Sequence, residues 1–205
     1  MTHPPDTFSI ITPSLNRLAF LKRACASVAD QAGVKVEHIV VDGMSVDGTA
    51  QWLKNVQGIS PVVEPDLGMY DAINKGLDRA SGDLVGFLNT DEQYLPAALS
   101  EVAAYFHAHP EIDFLFGHFL VVSPDGSLVC FRKGFVPRRV YVRTSHLYTP
   151  TCTMFLRRRV LLDGHRFDPA FKASGDEEFV VRLLGRYRAG YLDRYIAVLQ
   201  NKART

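Results

Sequence analysis

The chain has 205 residues, 47% of them apolar and 22% charged, with a net charge of +1 and a mean hydropathy near zero. That is enough sequence for one full core, cramped for two, and without room for a sizeable disordered tail. No run approaches the roughly 18 apolar residues of a membrane span, and Met1 to Thr7 lacks the basic flank and apolar core of a signal peptide, so a single cytosolic domain over residues 1–205 is expected. Cys25, Cys130 and Cys152 stand too far apart for a zinc site or a disulfide framework and read as small core residues. The histidines lack metal spacing too: His107 and His109 would face different ways on a helix.

Phe8 to Thr12 reads as the first strand, Pro13 to Asn16 as a turn, and Leu18 to Gln31 as an amphipathic helix. Val36 to Val41 is a second apolar run ending in acid at Asp42, followed by a polar turn over Ser45 to Thr49 and a short helix through Trp52 and Leu53. Pro61 to Glu64 gives a short third strand and Pro65 to Met69 a loop. A helix then runs from Tyr70 to about Ala80 with Tyr70, Ile73 and Leu77 on one face. Leu84 to Leu88 is too short for a helix and continuously apolar, as a strand buried on both faces should be. It stops at Asn89-Thr90-Asp91-Glu92. These four residues are ordinary turn formers, yet a carboxylate at the carboxyl end of a central α/β strand is also placed to hold a divalent cation against phosphate oxygens.

Strand and helix alternate four times, which predicts a mainly parallel sheet with helices on both faces. Pro96 to Ala108 continues as helix, with Pro96 near the first turn. Phe114 to Val122 and Leu128 to Arg132 flank the turn residues Ser123 to Ser127, a hairpin that reads as a small antiparallel excursion at the sheet edge. Residues 134–150 show no period and are expected to form a mobile or ligand-ordered loop; Thr151 to Leu156 is expected to return as a strand. At Gly175-Asp176-Glu177-Glu178 three acids precede a helical pattern, where they also favour the helix dipole, and Tyr191 to Leu199 is the last strand. Charge divides along the chain: residues 1–100 carry seven basic and twelve acidic residues, and residues 101–205 carry sixteen and ten. A basic surface attracts phosphate on nucleotides, lipid headgroups or nucleic acid.

Four of these stretches, each at the end of a predicted strand, carry a family likeness: Ile11 to Arg17, Val41 to Thr49, Glu64 to Gly76 and Phe87 to Glu92. Together they resemble the inverting family 2 glycosyltransferases of GT-A fold, and more closely the small bacterial, colanic-acid-type members that build surface polysaccharides. The resemblance implies a nucleotide-binding half over residues 1–95 and an acceptor and catalytic-base half over 96–205. It implies donor-site roles for Thr12, Pro13, Ser14, Asn16, Asp42, Ser45, Asp66, Lys75, Asn89 and Thr90, and makes Asp91 the ligand of Mn2+ or Mg2+ bridging the diphosphate of a nucleotide-sugar, with UDP expected ahead of GDP or dTDP. Asn89 departs from the family's acidic pair, which weakens the expected metal affinity; Glu92 is a candidate second carboxylate. Asp176 matches the catalytic base, with Glu177 as its substitute.

What the resemblance implies is transfer of a hexose-like sugar with inversion to a carbohydrate or lipid-linked saccharide acceptor, with no nucleic acid partner. The arginine-rich stretch 132–159 is expected to close over donor or acceptor, and peripheral contact with an anionic, lipid-linked acceptor at the inner membrane face would fit it as well. The alternatives are a non-catalytic nucleotide-sugar-binding or assembly subunit, argued by Asn89, and a nucleotidyltransferase, against which stands the lack of a glycine-rich phosphate loop near the first strand. Acceptor recognition is expected from residues 130–175 or from a partner subunit.

Overall fold

The computed structural model describes residues 6–144, 147 and 149–201. Its sheet grows from the apolar runs: β1 (Thr7–Ser14) pairs in parallel with β2 (Lys35–Asp42) on one side and with β4 (Leu84–Phe87) on the other, and β3 (Ile59–Val63) lies parallel to β2. Beyond β4 the pairing becomes mixed. β8 (Phe155–Arg157) runs antiparallel between β4 and β6 (Phe114–Val122), and β9 (Ala189–Gln200) runs parallel to β6. β5 (Glu92–Tyr94) closes that side antiparallel to β9, for a strand order of β3-β2-β1-β4-β8-β6-β9-β5, and β7 (Leu128–Arg132) forms the expected hairpin with β6.

Strand alternation feeds two cores. Phe8 and Ile10 of β1 pack beneath α1 (Leu18–Ala29) and α4 (Ala98–Ala108), whereas Ile11, Val85 and Phe87 point to the opposite face, beneath α3 (Met69–Leu77) and α7 (Gly175–Leu183). α1 buries Leu21, Ala24, Cys25 and Val28, one stripe at helical spacing, and the short α2 (Thr49–Leu53) adds Leu53 beside Leu21 and Cys25. Helices therefore cover both faces. Cys25 and Cys152 are buried as expected, whereas Cys130 is only half-buried, because β7 pairs with β6 alone and stands out from the core.

Several boundaries differ from expectation. α1 stops at Ala29 because Gln31 serves elsewhere: its amide donates to the Leu95 carbonyl at 3.0 Å and its Oε1 accepts the Leu99 N–H at 3.0 Å, tying α1 to the start of α4. Thr151 to Leu156 is not one strand. Thr153 N–H and hydroxyl both return to the Pro150 carbonyl and close a 3-10 turn over Thr151–Thr153, so β8 begins only at Phe155. The stretch 134–150 is not all loop, since α5 (Arg139–Thr144) occupies part of it and buries Val142; residues 145, 146 and 148 lie outside the described residues, as do residues 1–5 of the polar leader. α6 (Arg158–Leu162) and β5 were too short to leave a period. Antiparallel pairing also reaches the middle of the sheet through β8, beyond the edge hairpin.

Gly86 is the point where the parallel half meets β8. A Cβ there would lie 2.6 Å from the Phe155 ring and 3.0 Å from Ile10. Gly86→Ala should therefore overpack the core and lower stability by about 1–3 kcal/mol, read as a shift of the urea midpoint at unchanged slope.

Candidate active site

The loops after β1, β3 and β4 leave the same edge of the sheet, because β3, β2, β1 and β4 all run in parallel. There they border an open cleft of about 300 Å3 lined by Pro13, Ser14, Leu15, Arg17, Asp66, Gly68, Met69, Ala72, Asn89, Thr90 and Asp91. This is the carboxyl edge, where open α/β sheets bind ligands. Six residues expected at a donor site thus line one cleft: Pro13, Ser14, Asp66, Asn89, Thr90 and Asp91.

The other expected residues, Thr12, Asn16, Asp42, Ser45 and Lys75, lie outside that lining and brace the segments behind it. Asp42 is fully buried, and its carboxylate accepts from the Ser45 N–H at 2.9 Å and from the Ser45 hydroxyl. Ser45 Oγ in turn accepts the Asn16 N–H at 2.7 Å, while Asn16 Oδ1 accepts the Val46 N–H at 2.8 Å. Asp47 completes the link by accepting the Leu18 N–H at 2.8 Å. Thr12 turns into the sheet, where its hydroxyl lies 2.9 Å from Nε2 of buried His38. Lys75 lies behind the Asp66 loop, donating to the Pro65 carbonyl and pairing with Asp71 at 3.2 Å and Glu64 at 3.5 Å.

Two features of the cleft point to a polar ligand. Ser14 Oγ is buried without a hydrogen-bond partner, although a buried hydroxyl normally has one. Arg17, which ends the first of the four stretches but was given no role there, brings its guanidinium within 4.0 Å of Asp91, so a cation and a carboxylate stand together in the cleft. Glu92 is not the second carboxylate there. Next to Asp91 in sequence, it turns inward, is 3% exposed and accepts the Asn89 N–H at 2.6 Å.

The carboxylate of Asp176 is reached from the same helix that walls the cleft. α3 begins at cleft-lining Met69, and the hydroxyl of the next residue, Tyr70, donates to Asp176 Oδ1 at 3.2 Å and accepts the N–H groups of Gly175 and Asp176 at 2.9 and 3.3 Å. Burial, and then the Asp176 carboxylate, push the Tyr70 phenol above its ordinary pKa. The Tyr70 ring stacks on Phe167, which stacks on Phe179 of α7. Asn74, one turn along α3, clamps Phe167 in both directions, donating to its carbonyl at 2.7 Å and accepting its N–H at 2.9 Å. Glu177 instead accepts the Leu147 N–H at 3.0 Å, and Glu178 pairs with Arg182. Periodicity placed Tyr70 correctly on a buried face but held no signal for its hydroxyl.

The chain thus carries a cleft at the carboxyl edge of its parallel strands, with carboxylates on two sides of the start of α3. Residues 9–165 match glycosyl transferase family 2, and the chain belongs to that family. It is 31% identical over 171 residues to a PGL/p-HBAD biosynthesis glycosyltransferase of Mycobacterium bovis, covering 76% of this chain and 66% of that protein. It is 32% identical over 132 residues to the putative teichuronic acid biosynthesis glycosyltransferase TuaG of Bacillus subtilis, covering 62% of this chain and 52% of that one. The fold matches S. aureus TarS 1-349 in complex with UDP-GlcNAc, with a TM-score of 0.78, 22% identity, and 97% and 60% of the two chains covered. It also matches the mannosyltransferase PcManGT of Pyrobaculum calidifontis in complex with GDP-Man and Mn2+, with a TM-score of 0.70, 18% identity, and 98% and 59% covered. The chain thus spans 66% or less of the length of these relatives.

Tyr70→Phe should leave two N–H groups and one carboxylate oxygen short of a partner and lower stability by about 1–3 kcal/mol in urea unfolding. Glu92 offers a pH test. Burial, opposed by the Asn89 N–H and reinforced by Asp91, raises its pKa from 4.5 to about 7, so its contribution to stability is full below pH 4.5 and lost as pH rises through 7. Buried His38, lowered by burial from 6.5 to about 4, has the opposite slope, its contribution being lost as pH falls from 6.5 to 4. Glu92→Gln should remove the first slope alone. In urea midpoints measured against pH, the variant should lose stability on acidification more steeply than the parent.

Proposed function

We propose that this chain transfers a sugar, with inversion, from a nucleoside-diphosphate sugar to an acceptor hydroxyl in bacterial cell-surface polysaccharide synthesis. One observation carries the reading: Tyr70, adjacent to cleft-lining Met69, holds the Asp176 carboxylate at the far side of the same helix start. Donor and base are then positioned by one rigid element. The donor occupies the cleft between Ser14, Asp66 and Asp91, with UDP ahead of GDP or dTDP, and the named functions of the mycobacterial and Bacillus relatives support a carbohydrate or lipid-linked saccharide acceptor.

Asp176 takes the proton of the acceptor hydroxyl as that oxygen forms a bond to the anomeric carbon. The bond from that carbon to the diphosphate oxygen breaks on the opposite face, and the nucleoside diphosphate leaves with the electron pair. One displacement inverts the centre and needs no covalent enzyme intermediate. The Tyr70 hydroxyl, by donating to Asp176 Oδ1, holds the carboxylate in place and aims it. Arg17 places positive charge beside the departing group.

A divalent cation fits this donor set. No group of three or more His, Cys, Asp or Glu side chains among the described residues forms a closed cage, but Mg2+ and similar ions commonly take one or two carboxylates and complete their shell with substrate phosphates and water. Asp91 is the carboxylate that would hold it, with Asn89 and Thr90 beside it. Bound there, Mn2+ or Mg2+ would neutralise charge gathering on the diphosphate.

Titration calorimetry with UDP and with GDP, each with and without Mn2+, tests the donor site. Binding should require the metal and disappear in Asp91→Ala; metal-independent binding unchanged in that variant would refute the assignment. Asp176→Asn should retain donor affinity and lower kcat by about 10^2- to 10^4-fold. Binding without any turnover in the parent chain would instead support the non-catalytic subunit.

A further inference from the structure

From Gly126 to Leu162 the sequence contains no Asp or Glu and eight Lys or Arg. Two of these arginines are used by the fold. Arg157 turns inward to the carbonyls of Phe106 and Ile112, at 2.7 and 2.8 Å, and Arg159 pairs with Asp113 at 2.7 Å. Arg132, Lys133, Arg138, Arg139 and Arg143 remain exposed along β7, the segment after it and α5. Interleaved with them are Leu128, Val129, Phe131, Val136, Val140 and Tyr141, between 46% and 60% exposed. Of the five basic residues, Lys133 has the Asp193 carboxylate of β9 near it. Large exposed apolar side chains among an excess of positive charge mark an interaction surface.

The strip is fastened to the body at defined points. The Gly134 N–H donates to His118 Nδ1 at 3.3 Å, and a Cβ on Gly134 would lie 2.5 Å from Thr149. Val142 is the buried residue of α5, which packs against α7, the helix that begins with Asp176 and its neighbours. The surface thus adjoins the wall that presents the proposed base.

We propose that this strip is a docking surface for an anionic phospholipid bilayer. Charge and chemistry select that occupant. A second copy of the chain would oppose like charges across the contact, and the exposed edge of β7 would bring Arg132 against its own kind. A phosphodiester chain would satisfy the arginines but leave Leu128, Val129, Val136 and Val140 in water. An anionic membrane takes both, binding the basic groups at its headgroups and the apolar ones at the acyl boundary. The net charge of only +1 makes the strip, and not the whole molecule, the source of attraction. Its purpose rests on the transferase reading, since it would bring a lipid-linked acceptor to Asp176; the binding itself does not depend on that reading.

The test is sedimentation of the full chain with vesicles of phosphatidylcholine alone or mixed with phosphatidylglycerol. Binding is expected only to the mixed vesicles, and should weaken between about 0.1 M and about 1 M salt, where the Debye length falls from about 10 to about 3 Å. The triple variant Arg132→Gln, Arg138→Gln, Arg139→Gln should bind about a hundredfold more weakly, at about 1 kcal/mol per charge. Leu128→Ser with Val129→Ser and Phe131→Ser should weaken binding about tenfold or more with the charge intact. Both variants should keep the parent's circular dichroism and nucleotide binding. No vesicle binding, equal binding by either variant, or self-association or nucleic acid binding in its place would overturn the proposal. Vesicle binding by a chain that binds no nucleotide would sink the donor-site reading and leave this one standing.

Discussion

The hydroxyl of Tyr70 is the constraint on which the second half of the site depends. Its ring is held between β-sheet and α7 in a stack with Phe167, an environment in which an unpartnered hydroxyl would be costly. It gains three partners there, all at the start of α7. The close approach dictates glycine at position 175, because a Cβ would come within 2.6 Å of the Tyr70 ring. Ser174 enters the helix in the left-handed region, with φ of 57°, so that these N–H groups point at the phenol. An aromatic packing problem and the placement of a carboxylate are therefore solved by the same atoms.

Adjacent acids illustrate how a strand end sorts identical chemistry. Asp91 and Glu92 follow the same apolar run, yet opposite sides of the chain receive them: Asp91 borders the cleft beside Arg17, and Glu92 enters the core above Asn89. The first keeps access to ligand and solvent. The second is set by burial, which favours its protonated form. Composition gives both the same weight, and only the alternation of side chains beyond β4 separates them.

That distinction marks what was legible in the sequence. The parallel half could be read because β1, β2 and β4 are continuous apolar runs that each end in turn formers, and their parallel order forces the following loops to one edge. Asn89 and Asp91 follow from this, and Asp66 from β3, which runs parallel to β2. Thr12 and Asp42 sit where polar residues were expected, but whether such a side chain faces the cleft or the interior depends on tertiary partners, here His38 and Ser45. β5 and β8 hold three residues each, shorter than any period can register, and α5 reveals itself only through one buried residue, Val142. Arg17 and Asn74 lie within recognised stretches, but their roles are set by contacts with distant segments, Asp91 and Phe167.

The bonds joining the first two loops carry a further consequence. Asn16, Ser45 and Asp42 form a chain of hydrogen bonds, and Asp47 secures Leu18 at the first turn of α1. These loops are locked to each other by folding alone, so that edge of the cleft is preorganised: a ligand meeting it need not supply the entropy of ordering backbone. Capture of a ligand can then proceed without rearrangement on this side. A side chain such as Ser45, outside the cleft lining, acquires leverage over affinity, because loosening it returns to the binding step an ordering cost that folding had already met.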